Sequence, residues 1–355
     1  MNSNNKKKKT TNKKKENPIC IGAGLVALDI VINGDPKIPL KLFAGGSCGN
    51  VLTILSFLKW NAFPVARLKS NDASKKLLAD LTDWNVNTLL ITKSPDGSTP
   101  IIIQRIKRDK NGNSIHTFQF RNPENGDWLP LYKPVLRTEV DSLIKKSPIP
   151  SVFYFDRVNR SSIDLAKYYK GKGAVIFFEP SSMSENKQFE ECLNVADIIK
   201  FSNERINNYA DLFPDQRVPL EIETLGKEGL RYRFSHQLKS KNWINLTSYK
   251  ISYVVDAAGS GDWFSAGVIS KIAMNGLKGF KNRNEVFVSK SLKYGQALGA
   301  LNCFFEGARG LMYALTKEQV GSLVRKLQRS KTPLTLINKK EDFKPIEKFS
   351  IGSLY

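Results

Sequence analysis

The sequence predicts an α/β fold in which a mostly parallel central sheet carries helices on both faces, with a smaller β-sheet beside it. Between 152 and 225, short apolar runs typical of buried strands alternate with segments of helical periodicity, the rhythm of a parallel sheet with crossover helices. A strand-like run, a glycine turn and an apolar helix follow one another between 249 and 276. Away from this rhythm, Asn111-Gly112 lies between two β-rich runs, which is a hairpin signal and predicts the smaller sheet.

The amino-terminal part contains a basic tail and a single apolar run. Residues 1–17 are rich in Asn, Lys and Thr with almost nothing apolar, which predicts disorder. Ile19–Leu28 is apolar and is followed by Asp29, so we interpret it as one buried parallel strand that ends at a functional acid. Open α/β sheets bind ligands at the carboxyl ends of their strands. Asp29, with Asn50 close behind it, is therefore a candidate for binding substrate hydroxyls.

The remaining elements follow from the spacing of apolar residues. Residues 31–44 are typical of a small strand pair, and 100–120 contains the hairpin. The pattern fades in 331–355, a predicted extension, which leaves 18–330 as the main domain. Helices are predicted at 49–60, 73–83, 163–169, 189–194, 264–276 and 289–305, and strands at 152–155, 174–178, 198–201, 221–225 and 249–255.

Composition narrows the class of protein. The formal net charge is +22, which can indicate affinity for nucleic acid. No zinc-finger, RRM or helix-turn-helix pattern accompanies this charge, so we expect no nucleic-acid function, although the basic tail leaves room for one. The four cysteines lie far apart without a Cys-x-x-Cys pair, which favours a reduced, cytoplasmic protein over a zinc site or a disulfide framework. No apolar run is long enough for a membrane helix.

The strongest chemical signal is the turn Ala258-Gly259-Ser260-Gly261, which Asp262 follows at the start of a helix. Glycines let the backbone fold tightly and point consecutive amides at one spot, where the positive end of the helix favours phosphate. A carboxylate would repel phosphate, so Asp262 is better suited to accept the proton of a nearby hydroxyl, as phosphoryl transfer requires. The alternative is an acid that only stabilises the start of the helix.

Three motifs resemble those of the PfkB family of carbohydrate kinases, which have the ribokinase-like fold. Asp256–Asp262 is similar to the family's Asp-Thr-x-Gly-Ala-Gly-Asp signature, and 45–50 is similar to its Gly-Gly-x-x-x-Asn substrate loop. Residues 224–229 resemble its Thr-Leu-Gly-x-x-Gly turn at the nucleotide site. Together with the strand before Asp29, these motifs occur in the family's order and cover about 18–330.

The resemblance implies an enzyme that transfers a phosphoryl group from ATP to a hydroxyl of a small sugar. It implies Mg²⁺ bridging the phosphates mainly through water, with no direct protein ligand. It also implies that 31–44 and 100–120 form a lid over the substrate, through which a homodimer could form. The implied site residues are Asp262 as the base, the amides of Gly259, Ser260 and Gly261 as the anion hole, Asp29, Gly45, Gly46 and Asn50 for the sugar, and Thr224, Gly226, Gly229 and Asn302 for the nucleotide.

Two departures and three alternatives stay open at this point. Ala257 replaces the usual Thr, and Arg205 stands where the family has a Glu that helps to place Mg²⁺, unless Glu204 takes over. These departures leave room for a binding or regulatory protein with weak catalysis. A nucleoside kinase of the same fold is another alternative. Asn302 could also be an ordinary polar residue on an exposed helical turn.

Overall fold

A computed structural model describes residues 16–33, 40–108, 114–183, 187–336 and 350–355. The strands are β1 (Ile19–Ala23), β2 (Ala27–Asn33), β3 (Lys41–Gly45), β4 (Asn61–Leu68), β5 (Ile91–Lys93), β6 (Ile101–Arg108), β7 (Ser114–Gln119), β8 (Val152–Phe155), β9 (Val175–Phe178), β10 (Ile198–Ser202), β11 (Leu220–Thr224), β12 (Leu230–Phe234) and β13 (Ile244–Leu246). The α-helices are α1 (Ser47–Phe57), α2 (Asp72–Asp83), α3 (Val140–Lys146), α4 (Arg160–Gly171), α5 (Lys187–Val195), α6 (Tyr209–Leu212), α7 (Ser260–Ile272), α8 (Gly276–Lys281), α9 (Glu285–Asn302), α10 (Gly310–Ala314) and α11 (Lys317–Arg329). Short 3₁₀-helices cover Arg137–Glu139, Gly226–Glu228 and Ile351–Leu354.

The large sheet has nine strands in the order β13-β12-β11-β10-β9-β8-β1-β4-β5. Its pairs are parallel from β11 through to β5, and only β11–β12 and β12–β13 are antiparallel. The predicted mostly parallel sheet is therefore confirmed. Because these strands are parallel, the carboxyl ends of β1, β8, β9, β10 and β11 lie at the same edge of the sheet. This edge is the usual place for a ligand in this architecture.

Two hydrophobic cores cover the two faces of this sheet. In β8, Val152 and Tyr154 belong to one core, while Phe153 and Phe155 belong to the other. The first core also contains residues of α1, α7 and α9, and the second contains residues of α4 and α5. A strand buried on both faces needs apolar residues at every position, which explains the uninterrupted apolar sequences of β8 and β9.

A second sheet of four strands, in the order β3-β2-β6-β7, corresponds to the predicted lid. The β2–β3 and β6–β7 pairs are antiparallel, and β2 pairs with β6 in parallel. The predicted turn at Asn111-Gly112 lies outside the described residues, as do 34–39. Most of the predicted tail and extension, 1–15 and 337–349, also lie outside them.

Two predicted strands differ from the structure. Ile19–Leu28 is not one strand, because the chain leaves the large sheet after Ala23 and enters the small sheet at Ala27. Asp29 is therefore inside β2, not at the carboxyl end of the first strand.

The segment 249–255 was also predicted as a strand, and it has only an isolated bridge from Ile251 to Leu334. The Val255 amide donates to the Cys303 carbonyl, and Tyr253 and Val254 are exposed. The segment is thus attached to the rest of the protein at Ile251 and Val255, and it is not paired within a sheet. None of the helices in the described part of the chain is long and apolar enough to cross a membrane.

Candidate active site

The glycine turn before α7 has the tight conformation that the sequence predicts. Gly259 precedes the helix with φ 72°, in the left-handed region. A Cβ on Gly259 would lie 2.1 Å from the Ala308 carbonyl oxygen, so any side chain there would collide with backbone. The Gly261 amide, in the first turn of α7, has no carbonyl partner within the helix, and the Ser260 amide makes only a long bond of 3.3 Å to the Ala257 carbonyl. The turn can therefore hold an anion at the positive end of a buried helix.

The side chains of Asp256 and Asn302 stabilise this turn by hydrogen bonds to backbone groups. The Asp256 carboxylate accepts from the Ala258 amide at 2.6 Å and from the Gly307 amide at 2.7 Å. The Asn302 side chain donates to the Ala258 carbonyl at 2.9 Å and accepts from the Leu311 amide at 3.1 Å. Asn302 is fully buried, so it is not on an exposed turn. Its side-chain amide bonds backbone groups, so the residue shapes the anion turn instead of facing a nucleotide base.

Asp262 and Asn50 meet although they are far apart in sequence. The Asn50 Nδ2 group donates to Asp262 Oδ2 at 2.8 Å, which joins the Gly-Gly-x-x-x-Asn loop to the start of α7. Burial, followed by the negative charge of Glu179, raises the pKa of Asp262 to about 7. The Asn50 hydrogen bond and the charges of Lys200 and Arg205 act in the opposite direction. Such a pKa suits a base that works near neutral pH.

A buried ion pair that the sequence analysis missed lies beside Asp262. Lys200 of β10 and Glu179 after β9 form this pair at 2.5 Å. The second Glu179 oxygen accepts from Ser265 at 2.6 Å and from Tyr154 at 3.2 Å. Lys200 Nζ also lies 3.4 Å from the Gly261 carbonyl oxygen. The sequence could have indicated this pair, because Lys200 and Glu179 are charged residues that each directly follow apolar residues of a predicted strand.

Asp29 lines a small cavity beside the small sheet, and the paired glycines Gly45 and Gly46 follow strand β3 close to it. Gln104 Nε2 donates to Asp29 Oδ2 at 2.8 Å. A Cβ on Gly45 would lie 2.0 Å from that same oxygen, so glycine leaves room for the carboxylate. Gly46 precedes α1 with φ 75°, and a Cβ there would meet the Leu25 carbonyl oxygen at 2.5 Å. Burial raises the pKa of Asp29 to about 7 against the opposing charge of a nearby arginine.

The cavity has a volume of about 10 Å³, room for about one water molecule. Asp29, Asn50 and Gln104 line it together with the segment 306–310. Among the described residues, Asp29 Oδ1, Asn50 Oδ1 and Gln104 Oε1 are buried without a hydrogen-bond partner. Buried acceptors without donors are costly, and hydroxyl groups of a ligand would satisfy them. A sugar is much larger than the space that this cavity offers.

Asp156, at the carboxyl end of β8, is a second residue that the sequence analysis missed. Its carboxylate accepts from the Leu25 amide at 3.0 Å and from the Cys48 amide at 3.1 Å. A Cβ on Gly24 would lie 1.8 Å from Asp156 Oδ1. Asp156 therefore holds the corner between β1 and β2 against the start of α1. No sequence motif marked it, although its place after a buried strand is typical of functional acids.

Comparisons with known proteins agree with this geometry. No family model matches the chain. Over 295 residues the chain is 26% identical to the probable chloroplastic fructokinase-6 of Arabidopsis thaliana, an alignment covering 76% of this chain and 71% of that protein. An uncharacterized sugar kinase of Pyrococcus horikoshii, solved in complex with ATP, superposes with a TM-score of 0.62 at 20% identity over 87% of this chain and 99% of that one. A Methanocaldococcus jannaschii nucleoside kinase, an archaeal member of the ribokinase family, superposes with a TM-score of 0.62 at 16% identity over 88% and 100%.

The chain has the ribokinase-like fold. The resemblance to PfkB kinases that the motifs predicted is thereby confirmed, and so is the predicted pairing of a large parallel sheet with a small β-sheet.

In this ribokinase-like chain, the turn proposed for the nucleotide follows β11. Thr224 ends that strand, and the Leu225 amide donates to the Gly229 carbonyl at 2.8 Å. Gly226 and Gly229 have φ values of 55° and 110°. A Cβ on Gly229 would lie 2.2 Å from the Leu246 carbonyl oxygen. Gly229 is therefore buried against the backbone of 246–248, whereas Gly226 is exposed at the carboxyl end of β11.

The carboxylates near this turn fit a metal ion held mainly by phosphates. In the part of the chain that the structure describes, no group of three or more His, Cys, Asp or Glu side chains could hold a metal ion. Mg²⁺ is usually bound by one or two carboxylates together with substrate phosphates and water. The exposed Glu204 has its Oε1 atom 4.0 Å from the Cβ position of Gly226. Glu204 therefore lies next to the turn at Gly226.

Arg205 and Ala257, the two departures from the family pattern, are both exposed. The charge of Arg205 lowers the pKa of Asp262, so it acts on the same site as the anion turn. Ala257 contributes only its backbone, through the bond from the Ser260 amide to its carbonyl at 3.3 Å. Neither departure disturbs the contact between Asn50 and Asp262.

Proposed function

We propose that this protein is an ATP-dependent kinase that phosphorylates a hydroxyl group of a small sugar. The observation that carries the proposal is the hydrogen bond from Asn50 to Asp262. It supports the proposal because it joins Asn50, which lines a cavity that suits hydroxyls, to Asp262, whose pKa is about 7 and which follows a turn that suits phosphate. A fructokinase among the sequence relatives and an ATP-bound sugar kinase among the structural ones support the same activity.

The residues take complementary parts in the transfer. Asp262 accepts the proton of the acceptor hydroxyl while that oxygen attacks the terminal phosphorus of ATP, and the bond to the bridging oxygen breaks to release ADP. The amides of Gly259, Ser260 and Gly261 stabilise the charge on the transferring group. Asp29 and Asn50, beside Gly45 and Gly46, hold the acceptor. The nucleotide lies along the turn that contains Thr224, Gly226 and Gly229. Mg²⁺ would neutralise phosphate charge when bound, and Glu204 would be available to hold it through water.

The geometry also limits how the acceptor enters. Because the cavity holds about one water, the lid sheet opens before binding and closes over the acceptor. Closure would exclude water from Asp262 and so prevent hydrolysis of ATP. We therefore expect ADP release to depend strongly on an acceptor.

The test is ADP release by the purified protein with ATP and Mg²⁺ against pentoses, hexoses, their phosphates and nucleosides. The proposal expects turnover with a sugar. Turnover confined to nucleosides would favour the nucleoside-kinase alternative. Binding of ATP without turnover on any acceptor would favour the regulatory alternative and make Arg205 the first residue to revert to Glu.

We also propose that two copies associate through the small sheet. Its edge strand β7 carries Phe118, which is 53% exposed, and Phe120 and Trp128 nearby are 44% and 59% exposed. Exposed aromatic residues beside an unpaired strand edge are typical of association sites. Replacing Phe118 and Phe120 by Ser should convert a dimer to a monomer in sedimentation velocity. Val286→Ser, at a 62% exposed position on α9, is the matched control. A cytoplasmic location stays a prediction.

A further inference from the structure

Arg309 lies in the acceptor cavity, and no motif assigns a role to it. It directly precedes α10 and is 2% exposed. Its Nη2 atom donates to Asp80 Oδ2 on α2, and its guanidinium lies 5.5 Å from the centre of the Tyr313 ring. Asp80 also accepts from the Ala44 amide at 2.7 Å. The contacts with Asp80 and Tyr313 therefore fix the position of the Arg309 guanidinium.

Arg309 is also one of the residues that line the cavity. Within the described ranges, Arg309 Nη1 is buried and has no hydrogen-bond partner. Three acceptors around the same cavity, Asp29 Oδ1, Asn50 Oδ1 and Gln104 Oε1, also lack partners. A buried polar atom without a hydrogen-bond partner destabilises the folded protein. One charged donor and three acceptors around one cavity indicate a ligand with several hydroxyls and an oxygen that accepts.

The charge around Arg309 is already balanced. Asp80 and Asp29 are the carboxylates whose charges act on it, and Glu306 on the cavity wall is paired with Lys41 at 3.6 Å. A sugar acid or sugar phosphate would bring a further negative charge beside Asp29, where repulsion in a dry cavity is strong. A neutral sugar brings no such charge.

We propose that Arg309 is a specificity residue of the acceptor pocket and that the pocket selects a neutral sugar. Nη1 donates to a ring or carbonyl oxygen of the sugar, while Asp29, Asn50 and Gln104 accept from its hydroxyls. Asp80 positions the guanidinium and balances its positive charge. Without a net positive charge, the pocket binds anionic acceptors poorly. The proposal rests on the kinase function above and names the substrate class of that same site.

Arg309→Lys is the first variant, because it keeps a positive charge beside Asp80 but loses the forked geometry. The probes are D-fructose, D-ribose, D-gluconate and fructose 6-phosphate. For the neutral sugar that wild type uses best, we expect KM to rise about 10- to 100-fold, with a much smaller change in kcat and an unchanged KM for ATP. Arg160→Lys, at an arginine paired with Glu191 on the surface of α4, is the matched control and should change neither constant. An unchanged KM for the sugar in Arg309→Lys would overturn the proposal.

Asp80→Asn tests the charge argument separately. It keeps an acceptor for Ala44 and Arg309 but removes the balancing charge. The ratio of kcat/KM for D-gluconate to that for the neutral sugar should rise by about tenfold. A wild-type enzyme that prefers either anionic probe, or an unchanged ratio in Asp80→Asn, would contradict the proposal.

Binding separates failure of this inference from failure of the kinase function. If wild type releases no ADP with any probe, the kinase proposal is wrong, and isothermal titration of the four probes still tests Arg309. Tighter binding of a neutral sugar than of D-gluconate, weakened in Arg309→Lys, would support the role of Arg309 without catalysis. Equal binding of all probes by both proteins, or no binding at all, would overturn it.

Discussion

Asn50 donates a hydrogen bond to Asp262 across 2.8 Å, although the two residues are 212 positions apart in sequence. The bond links the first turn of α1, which follows strand β3 of the small sheet, to the first turn of α7 behind the anion turn. An amide in the acceptor pocket thereby controls the protonation of the proposed base. Binding of an acceptor and activation of its hydroxyl are coupled through this one contact.

The first prediction concerns the pH dependence of turnover. Because the pKa of Asp262 is raised to about 7, the base is protonated below neutrality, and kcat/KM should fall as the pH drops through 7. Removing the donor in Asn50→Ala should raise the pKa of Asp262 further and move the midpoint upward by about 1 pH unit. The measurement is the pH profile of kcat/KM for the acceptor in both proteins.

Asn282→Ala, at an exposed position after α8, is the control and should leave the profile of wild type unchanged. A midpoint that moved downward in Asn50→Ala would mean that Asn50 stabilises the protonated form of Asp262, contrary to the geometry.

The second prediction concerns stability. The pKa of Asp262 rises on folding from 3.8 to about 7, so between these values the folded state holds a proton that the unfolded state has lost. Stability contributed at this site therefore falls as the pH rises through that window, and the full penalty is present above pH 7. Asp262→Asn removes the penalty while Asn50 keeps an acceptor. Its Tm should exceed that of wild type at pH 8, and the difference should vanish near pH 4.

If Asp262→Asn is less stable than wild type at pH 8, the charged form of Asp262 is well solvated, contrary to this prediction. Asp72→Asn provides the comparison, since Asp72 also stands in the first turn of a helix but is exposed and paired with Lys75. Its Tm should not exceed that of wild type at pH 8.

The third prediction concerns Asp156. Asp156→Ala leaves the buried amides of Leu25 and Cys48 without acceptors, so the free energy of unfolding should fall by about 2–5 kcal/mol. Because both amides belong to segments that shape the acceptor pocket, KM for the acceptor should rise more than KM for ATP. Denaturant unfolding and steady-state kinetics measure the two effects. Equal increases in both KM values would indicate general loosening instead of a local displacement.

Much of the fold follows from sequence because local and global preferences agree there. The uninterrupted apolar sequences of β8 and β9 require burial on both faces, and the glycines before α7 require a tight turn. The break at Gly24 was missed because the chain stays apolar while it passes from one buried sheet to another. Apolar periodicity reports burial, and it does not distinguish two sheets that share one interior.

The site was predictable where a backbone conformation demands a residue type, as at Gly46 and Gly259. It was less predictable where side chains meet from distant segments. Asn302 was a candidate for nucleotide binding, yet its side-chain amide forms hydrogen bonds with the backbone at Ala258 and Leu311. The pairing of Glu179 with Lys200 and the burial of Arg309 could not be predicted, because they appear only when the chain is folded.

The most direct test of the central claim compares acceptor-dependent ADP release by wild type and Asp262→Asn, with Asp72→Asn as the control for a helix-start acid. We expect Asp262→Asn to lower kcat by about 10²- to 10⁴-fold, the usual contribution of a general base. It should still bind ATP and the acceptor, and Asp72→Asn should match wild type. Turnover by Asp262→Asn within a few-fold of wild type would show that Asp262 is not the base, and the proposed mechanism would be wrong.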